Sequence, residues 1–147
     1  MYKRILVATD GSTLSKEATQ SAIELAAMSQ AELVVVKVVP RYPTSYFEGG
    51  VSISAKDVER IEREWTEAAQ AVTDKVVANA QASGVKARGM TVRSDIVADA
   101  LISTAKKVKS DLIVMASHGR RGLKRVLLGS ETQHVLTHSS TPVLVLR

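Results

Sequence analysis

Two hydrophobic rhythms alternate along this chain. Short, nearly unbroken apolar runs at Lys3–Thr9 (KRILVAT), Glu32–Val39 (ELVVVKVV), Asp111–Ser117 (DLIVMAS) and Pro142–Arg147 (PVLVLR) have the length and β-branched content of buried strands. Val85–Val92 reads as a weaker strand of the same kind. Between these runs the apolar spacing stretches to three and four. Leu14, Ala18, Ala22 and Leu25 predict a helix behind the first strand, with Ser12 and Thr13 available as caps. Val58, Ile61, Trp65, Val72 and Val76 predict a long amphipathic helix stopped at Gly84. Asp95 reads as the start of a third helix, striped by Val97, Leu101, Ala105 and Val108, and Ser130–His138 as a short fourth one with Ser130 as its cap.

Strands alternating with helices imply a single α/β domain over residues 1–147, an open parallel sheet with helices on both faces. Ligands of such sheets sit beyond the strand C-termini, where the strand order switches. Asp10, Val38 and the stretch Ala116–Ser130 (ASHGRRGLKRVLLGS) each follow or close a strand, so they can meet in one crevice. Arg41–Ala55, with Pro43, paired glycines and serines, is expected to be a mobile surface loop that starts beside Val38.

Composition narrows the chemistry. A content of 45% hydrophobic residues supports a full core, and the absence of cysteine excludes disulfides and Cys-ligated metals. The first residues read as a strand running into a polar turn rather than a leader, and the apolar runs are too short to span a bilayer. A soluble cytoplasmic protein without membrane contact is therefore expected. The net charge is +5, and between Ser117 and Arg147 five Arg and Lys face one acid, Glu131. That segment contains no aromatic residue for stacking, so no nucleic-acid partner is expected.

Ala116–Ser130 fits neither G-x-x-x-x-G-K-[ST] nor G-x-G-x-x-G. What it offers is a strand end, a basic excursion and Gly-Ser opening a helix. Gly119 and Gly129 let the backbone approach an anion, and the N–H groups at a helix start favour phosphate oxygens. Taken singly, these residues also have plain structural uses. The glycines suit turns, Asp10 suits the DGS turn, Val38 suits the core, and Arg120, Arg121, Lys124 and Arg125 suit a solvated rim. His134 and His138 lie one turn apart with no third ligand and are expected to face solvent. Ser117, His118 and Asp10 can be drawn as a triad, but no spacing positions them as nucleophile, base and orienter.

The order of these features resembles the universal stress protein family, and in particular its nucleotide-binding branch, whose signature is G-x-x-G, nine residues, then G-[ST]. Here it reads Ala116-Ser-His-Gly119, nine residues, Gly129-Ser130, flanked by KRILVATDGS, ELVVVKVV, DLIVMASHG and PVLVLR. The resemblance implies a Rossmann-like sheet, of the adenine nucleotide α-hydrolase type, in the order 3-2-1-4-5. It also implies ATP at the strand ends, with Mg²⁺ or Mn²⁺. Under it, Ala8, Thr9 and Asp10 lie near the nucleotide sugar and Val38 near the base. Gly119, Gly129 and Ser130 match the phosphate contacts, with Ser117, His118, Arg120, Glu131 and Thr132 beside them. Ala116 stands where the signature has its first glycine, and its methyl narrows the approach near the ribose. The implied function is a nucleotide-dependent regulator in stress response with an unnamed protein partner. The alternatives are a dimeric interaction module without nucleotide and a weak ATPase or autokinase. The last strand, at a sheet edge, is expected to pair with a second copy through Val143 and Val145.

Overall fold

A computed structural model of the chain describes residues 1–43, 53–118 and 128–147. Strands and helices alternate as β1 (Arg4–Ala8), α1 (Thr13–Ser29), β2 (Glu32–Val39), α2 (Ala55–Ala82), β3 (Ala87–Arg93), α3 (Val97–Val108), β4 (Leu112–Ala116), α4 (Ser130–His138) and β5 (Val143–Leu146). The five strands form one sheet in the order β3-β2-β1-β4-β5, and every neighbouring pair is parallel. The expected sheet order is the observed one.

The unbroken apolar runs follow from burial on both faces. Ile5, Val7, Leu33, Val35, Leu112 and Val114 pack against α1 and α2. Leu6, Val34, Val36, Ile113 and Met115 pack against α3 and α4 on the other side. Val34, Val35 and Val36 are fully buried, each contributing about 1.5–3 kcal/mol of transfer free energy. Ala18, Ala22 and Ala26 form the buried stripe of α1, and their small side chains let that helix lie close on the sheet. In α2 the buried stripe is confined to Ala69, Thr73, Val76 and Ala80, while Val58, Ile61, Trp65 and Val72 are half-buried. Trp65 stacks on Tyr42 with ring centroids 6.0 Å apart. The expected loop falls largely on residues 44–52, outside the described residues.

Two helix starts differ from expectation. α3 begins at Val97, not Asp95, with Ile96 at the cap position and no capping side chain of its own. Asp95 instead accepts the Arg41 N–H through Oδ1 at 3.2 Å, outside the helix. In α4 the cap position belongs to Gly129, so Ser130 is the first helical residue and does not cap it.

At the N-terminal end of the sheet, Glu32 sits between Arg4 (2.8 Å) and Arg88 (3.0 Å). Burial pushes its carboxyl up, but the hydrogen bonds and charges of the two arginines prevail and hold it below the usual carboxylate value. Asp111 accepts the N–H groups of Lys3 (2.8 Å) and Arg4 (3.1 Å), which ties the start of β4 to the start of β1. No described helix is long and apolar enough to cross a membrane.

Candidate functional site

β1 lies between β2, which follows it, and β4, which returns to its other side, so the strand order switches at the β1–β4 seam. A cleft of about 200 Å³ opens there at the strand C-termini. Its apolar lining comes from Ala8, Val36, Val38, Val97, Leu101 and Met115. Its polar lining comes from Thr9, Ser15 and Thr132, which are buried, and from Asp10, His118 and Glu131, which are more exposed. A flat apolar ring with a hydrophilic appendage fits this division of surfaces.

The β1–α1 side is held by its own side chains. The Thr9 N–H continues the ladder to the Val36 carbonyl (2.9 Å), and its hydroxyl meets Ser15 Oγ at 3.3 Å. Asp10 Oδ1 accepts the Ser12 N–H at 2.8 Å, closing a tight turn across Gly11. Gly11 has φ of 80°, the left-handed region that favours glycine. Ser12 Oγ then accepts the Ser15 N–H (3.2 Å) and caps α1 as expected. The Lys37 ammonium approaches the Asp10 carbonyl at 3.4 Å.

The β4–α4 side is built differently. The Gly129 N–H donates to the Ser117 carbonyl (2.8 Å), and the Thr132 hydroxyl donates to the carbonyls of Ala116 (3.0 Å) and Ser117 (3.1 Å). These bonds button the first turn of α4 onto the end of β4. A Cβ on residue 129 would lie 3.3 Å from the Ser117 oxygen and 3.4 Å from His118 Cα. Gly129 therefore has a packing role in this junction, independent of any ligand. It also brings no side chain to cap α4, whose first N–H groups have no intrahelical acceptors. The positive end of a helix thus borders the cleft.

Of the residues expected at the site, Ala8, Thr9, Asp10, Val38, Ala116, His118, Glu131 and Thr132 line the cleft together. Ser117 is buried below the lining, its hydroxyl 2.9 Å from His118 Nδ1. Gly129 and Ser130 stand at the adjoining helix start, and Gly119 and Arg120 lie outside the described residues. Two polar lining residues are engaged within the protein. The Thr132 hydroxyl serves the junction just described, and Glu131 Oε2 accepts the Ala98 N–H of α3 at 2.9 Å. His134, expected in solvent, pairs through Nε2 with Asp99 Oδ1 at 2.9 Å, and its ring lies 4.3 Å from that of His138. Among the described residues no three His, Asp or Glu side chains are grouped to hold a metal ion.

The family model for universal stress proteins matches residues 1–147. The chain belongs to this family. It is 35% identical over 148 aligned residues to universal stress protein MJ0531 of Methanocaldococcus jannaschii, covering 100% of this chain and 83% of that one. Among solved structures, universal stress protein UspA of Lactobacillus plantarum superposes with a TM-score of 0.82 at 25% identity, over 99% of this chain and 98% of that one. A universal stress protein crystallised in complex with cAMP superposes with a TM-score of 0.71 at 29% identity, over 99% and 97%.

Within this universal stress protein fold, Ser15, Val36, Val97, Leu101 and Met115 line the cleft without having been singled out from sequence. One of them carried a readable signal. Val36 is two residues from Val38 on β2, and side chains two apart on a strand share a face. Leu101 read as core stripe because one helix face both covers the sheet and walls the cleft, whereas Val97 lines the cleft from outside that core and is 36% exposed.

Proposed function

We propose that this universal stress protein binds an adenine nucleotide, ATP foremost, in the cleft at the β1–β4 seam. The observation that carries the reading is the start of α4. Its cap residue is a glycine with no side chain to offer, it borders an apolar slot, and two of its first three residues, Glu131 and Thr132, line that slot. A base lies against Val36, Val38, Val97 and Leu101, the sugar beside Asp10, and phosphate oxygens at the N–H groups after Gly129. The cAMP complex of a family member supports a purine nucleotide in a site of this kind. Mg²⁺ or Mn²⁺ would be held largely by the phosphates, with Asp10 as a carboxylate at the sugar end.

In this reading the chain is a nucleotide-dependent regulator in stress response, signalling by occupancy rather than by fast turnover. β5 pairs with a second copy, since it is the outer strand beyond β4 and its Leu144 is 39% exposed. Val143 and Val145 face the α3–α4 core and are half-buried, so they would support that contact from behind. Light scattering at micromolar concentration is expected to give a dimer, and a monomer overturns the pairing.

The nucleotide is tested by denaturing the purified protein and analysing the released small molecules by mass spectrometry, followed by calorimetry with ATP. Released adenine nucleotide, or saturable heat with ATP, is the expected result. Neither signal from folded protein would leave a dimeric interaction module that binds no nucleotide, a reading to which the methyl of Ala116 already gives some support.

A further inference from the structure

α3 starts without a cap of its own, yet one of its first N–H groups is satisfied. The Ala98 N–H, on a fully buried residue, donates to Glu131 Oε2 at 2.9 Å, across from the first turn of α4. One turn further along α4, His134 Nε2 meets Asp99 Oδ1 at 2.9 Å. Two side chains of α4, three residues apart, thus land on consecutive residues of α3. Beside these anchor points stand Val97, which is 36% exposed, and Leu101, which is buried against the sheet, and both wall the cleft. Ile96 offers no side-chain acceptor, and the Ser94 hydroxyl holds the Ile96 N–H and carbonyl, both at 3.2 Å, one residue ahead of the helix.

We propose that Glu131 is a positioning residue of the cleft. From α4 it caps α3 and holds Val97 and Leu101 against the space where the base lies. This rests on the nucleotide reading above, and it assigns Glu131 to the wall rather than to direct contact with phosphate or cation. The two roles make opposite demands on the side chain. A cap needs an acceptor at the right reach, and the amide oxygen of glutamine supplies one without charge. A charge-based role needs the carboxylate, and aspartate supplies that with one methylene less reach.

The test uses the whole chain with Glu131→Gln, Glu131→Asp and Glu131→Ala, each checked for folding by circular dichroism. Hydrogen exchange at residues 97–101 is read in the free protein, and AMP affinity by calorimetry. Glu131→Gln is expected to match the parent within about twofold in both. Glu131→Ala and Glu131→Asp are expected to exchange faster in the first turn of α3 and to bind AMP about tenfold more weakly, the usual scale of one lost helix cap. The reverse order, with aspartate like the parent and glutamine like alanine, overturns the proposal in favour of a charge role. Unchanged exchange in Glu131→Ala overturns it as well, and if that variant fails to fold, the aspartate and glutamine pair decides alone. If the parent itself binds neither AMP nor ATP, the nucleotide reading falls and the purpose given to Glu131 falls with it. The exchange data would still show whether the cap between the helices exists.

Discussion

The two strand-to-helix junctions that flank the cleft solve the same problem in opposite ways. Between β1 and α1, Asp10 accepts from Ser12, Ser12 caps Ser15, and the Thr9 hydroxyl meets Ser15, so the turn satisfies its own donors. Between β4 and α4, the side-chain hydroxyl of Thr132 works to fasten the helix to the strand, and the cap position is a glycine with nothing to offer the helix start. At the first junction the Ser15 N–H is already taken by the Ser12 hydroxyl, whereas at the second the cap residue brings no acceptor to the helix start. Under the proposed nucleotide reading, this difference directs phosphate to the second junction.

That contrast is broken most strongly at Gly129. Gly129→Asp puts a carboxylate beside the phosphate position and a Cβ against the Ser117 oxygen. ATP affinity is expected to fall by about 2–4 kcal/mol, the scale of lost charge-assisted hydrogen bonds plus repulsion. Gly129→Ala separates the terms, since it carries the crowding without the charge and is expected to lose about 1 kcal/mol. Calorimetry with ATP on variants that keep the parent circular dichroism spectrum measures both. If folded Gly129→Asp binds ATP like the parent, the open helix start is not the anion site.

Thr132→Val removes the fastening of the second junction from a side chain that is 2% exposed. Denaturant unfolding is expected to show a loss of about 1–2 kcal/mol, with ATP affinity reduced as well because the helix start is no longer held. Ser12→Ala strikes the first junction and is expected to lower stability by about 1 kcal/mol while leaving ATP affinity nearly unchanged. An equal loss of affinity in the two variants would erase the distinction between the junctions.

The smallest expected effect lies at the opposite end of the sheet and serves as a control. Glu32 has its carboxyl held below the usual 4.5 by Arg4 and Arg88. Its contribution is therefore present above pH 4.5 and is lost as the pH falls through the lowered folded-state value. Glu32→Gln is expected to be less stable than the parent by about 0.5–1 kcal/mol at neutral pH, with the gap closing under acid. Urea midpoints at several pH values check this, and a gap that widens toward low pH contradicts the assignment.

Much of this was legible in the chain, for reasons that differ by residue. β2 falls on Glu32–Val39 as expected because a fully buried parallel strand announces itself by an unbroken apolar run ended by proline. Asp10 and Val38 were recoverable from strand ends alone, and Thr9, Ala116 and His118 from the family resemblance and the signature. Where α3 starts was not legible. Its cap arrives from Glu131, 33 residues later, and no local pattern around Asp95 encodes that. Ser130 was misread for a related reason. Serine is the better cap by propensity, but the close approach to Ser117 and His118 gives the cap position to glycine and moves serine into the helix.

The hydrogen bond from the Arg4 N–H to Asp111 spans 107 residues of sequence, and the neighbouring strands close the seam that forms the cleft. While the chain emerges from the ribosome, β1 can pair with β2 early, but its other edge stays open until β4 has been made. The cleft is consequently among the last parts of the molecule to exist. A ligand that fits it recognises only finished chains and draws the folding equilibrium toward them by mass action. Under the proposed nucleotide reading, nucleotide supply bears on how much of this protein a cell keeps folded, as well as on what the folded protein does.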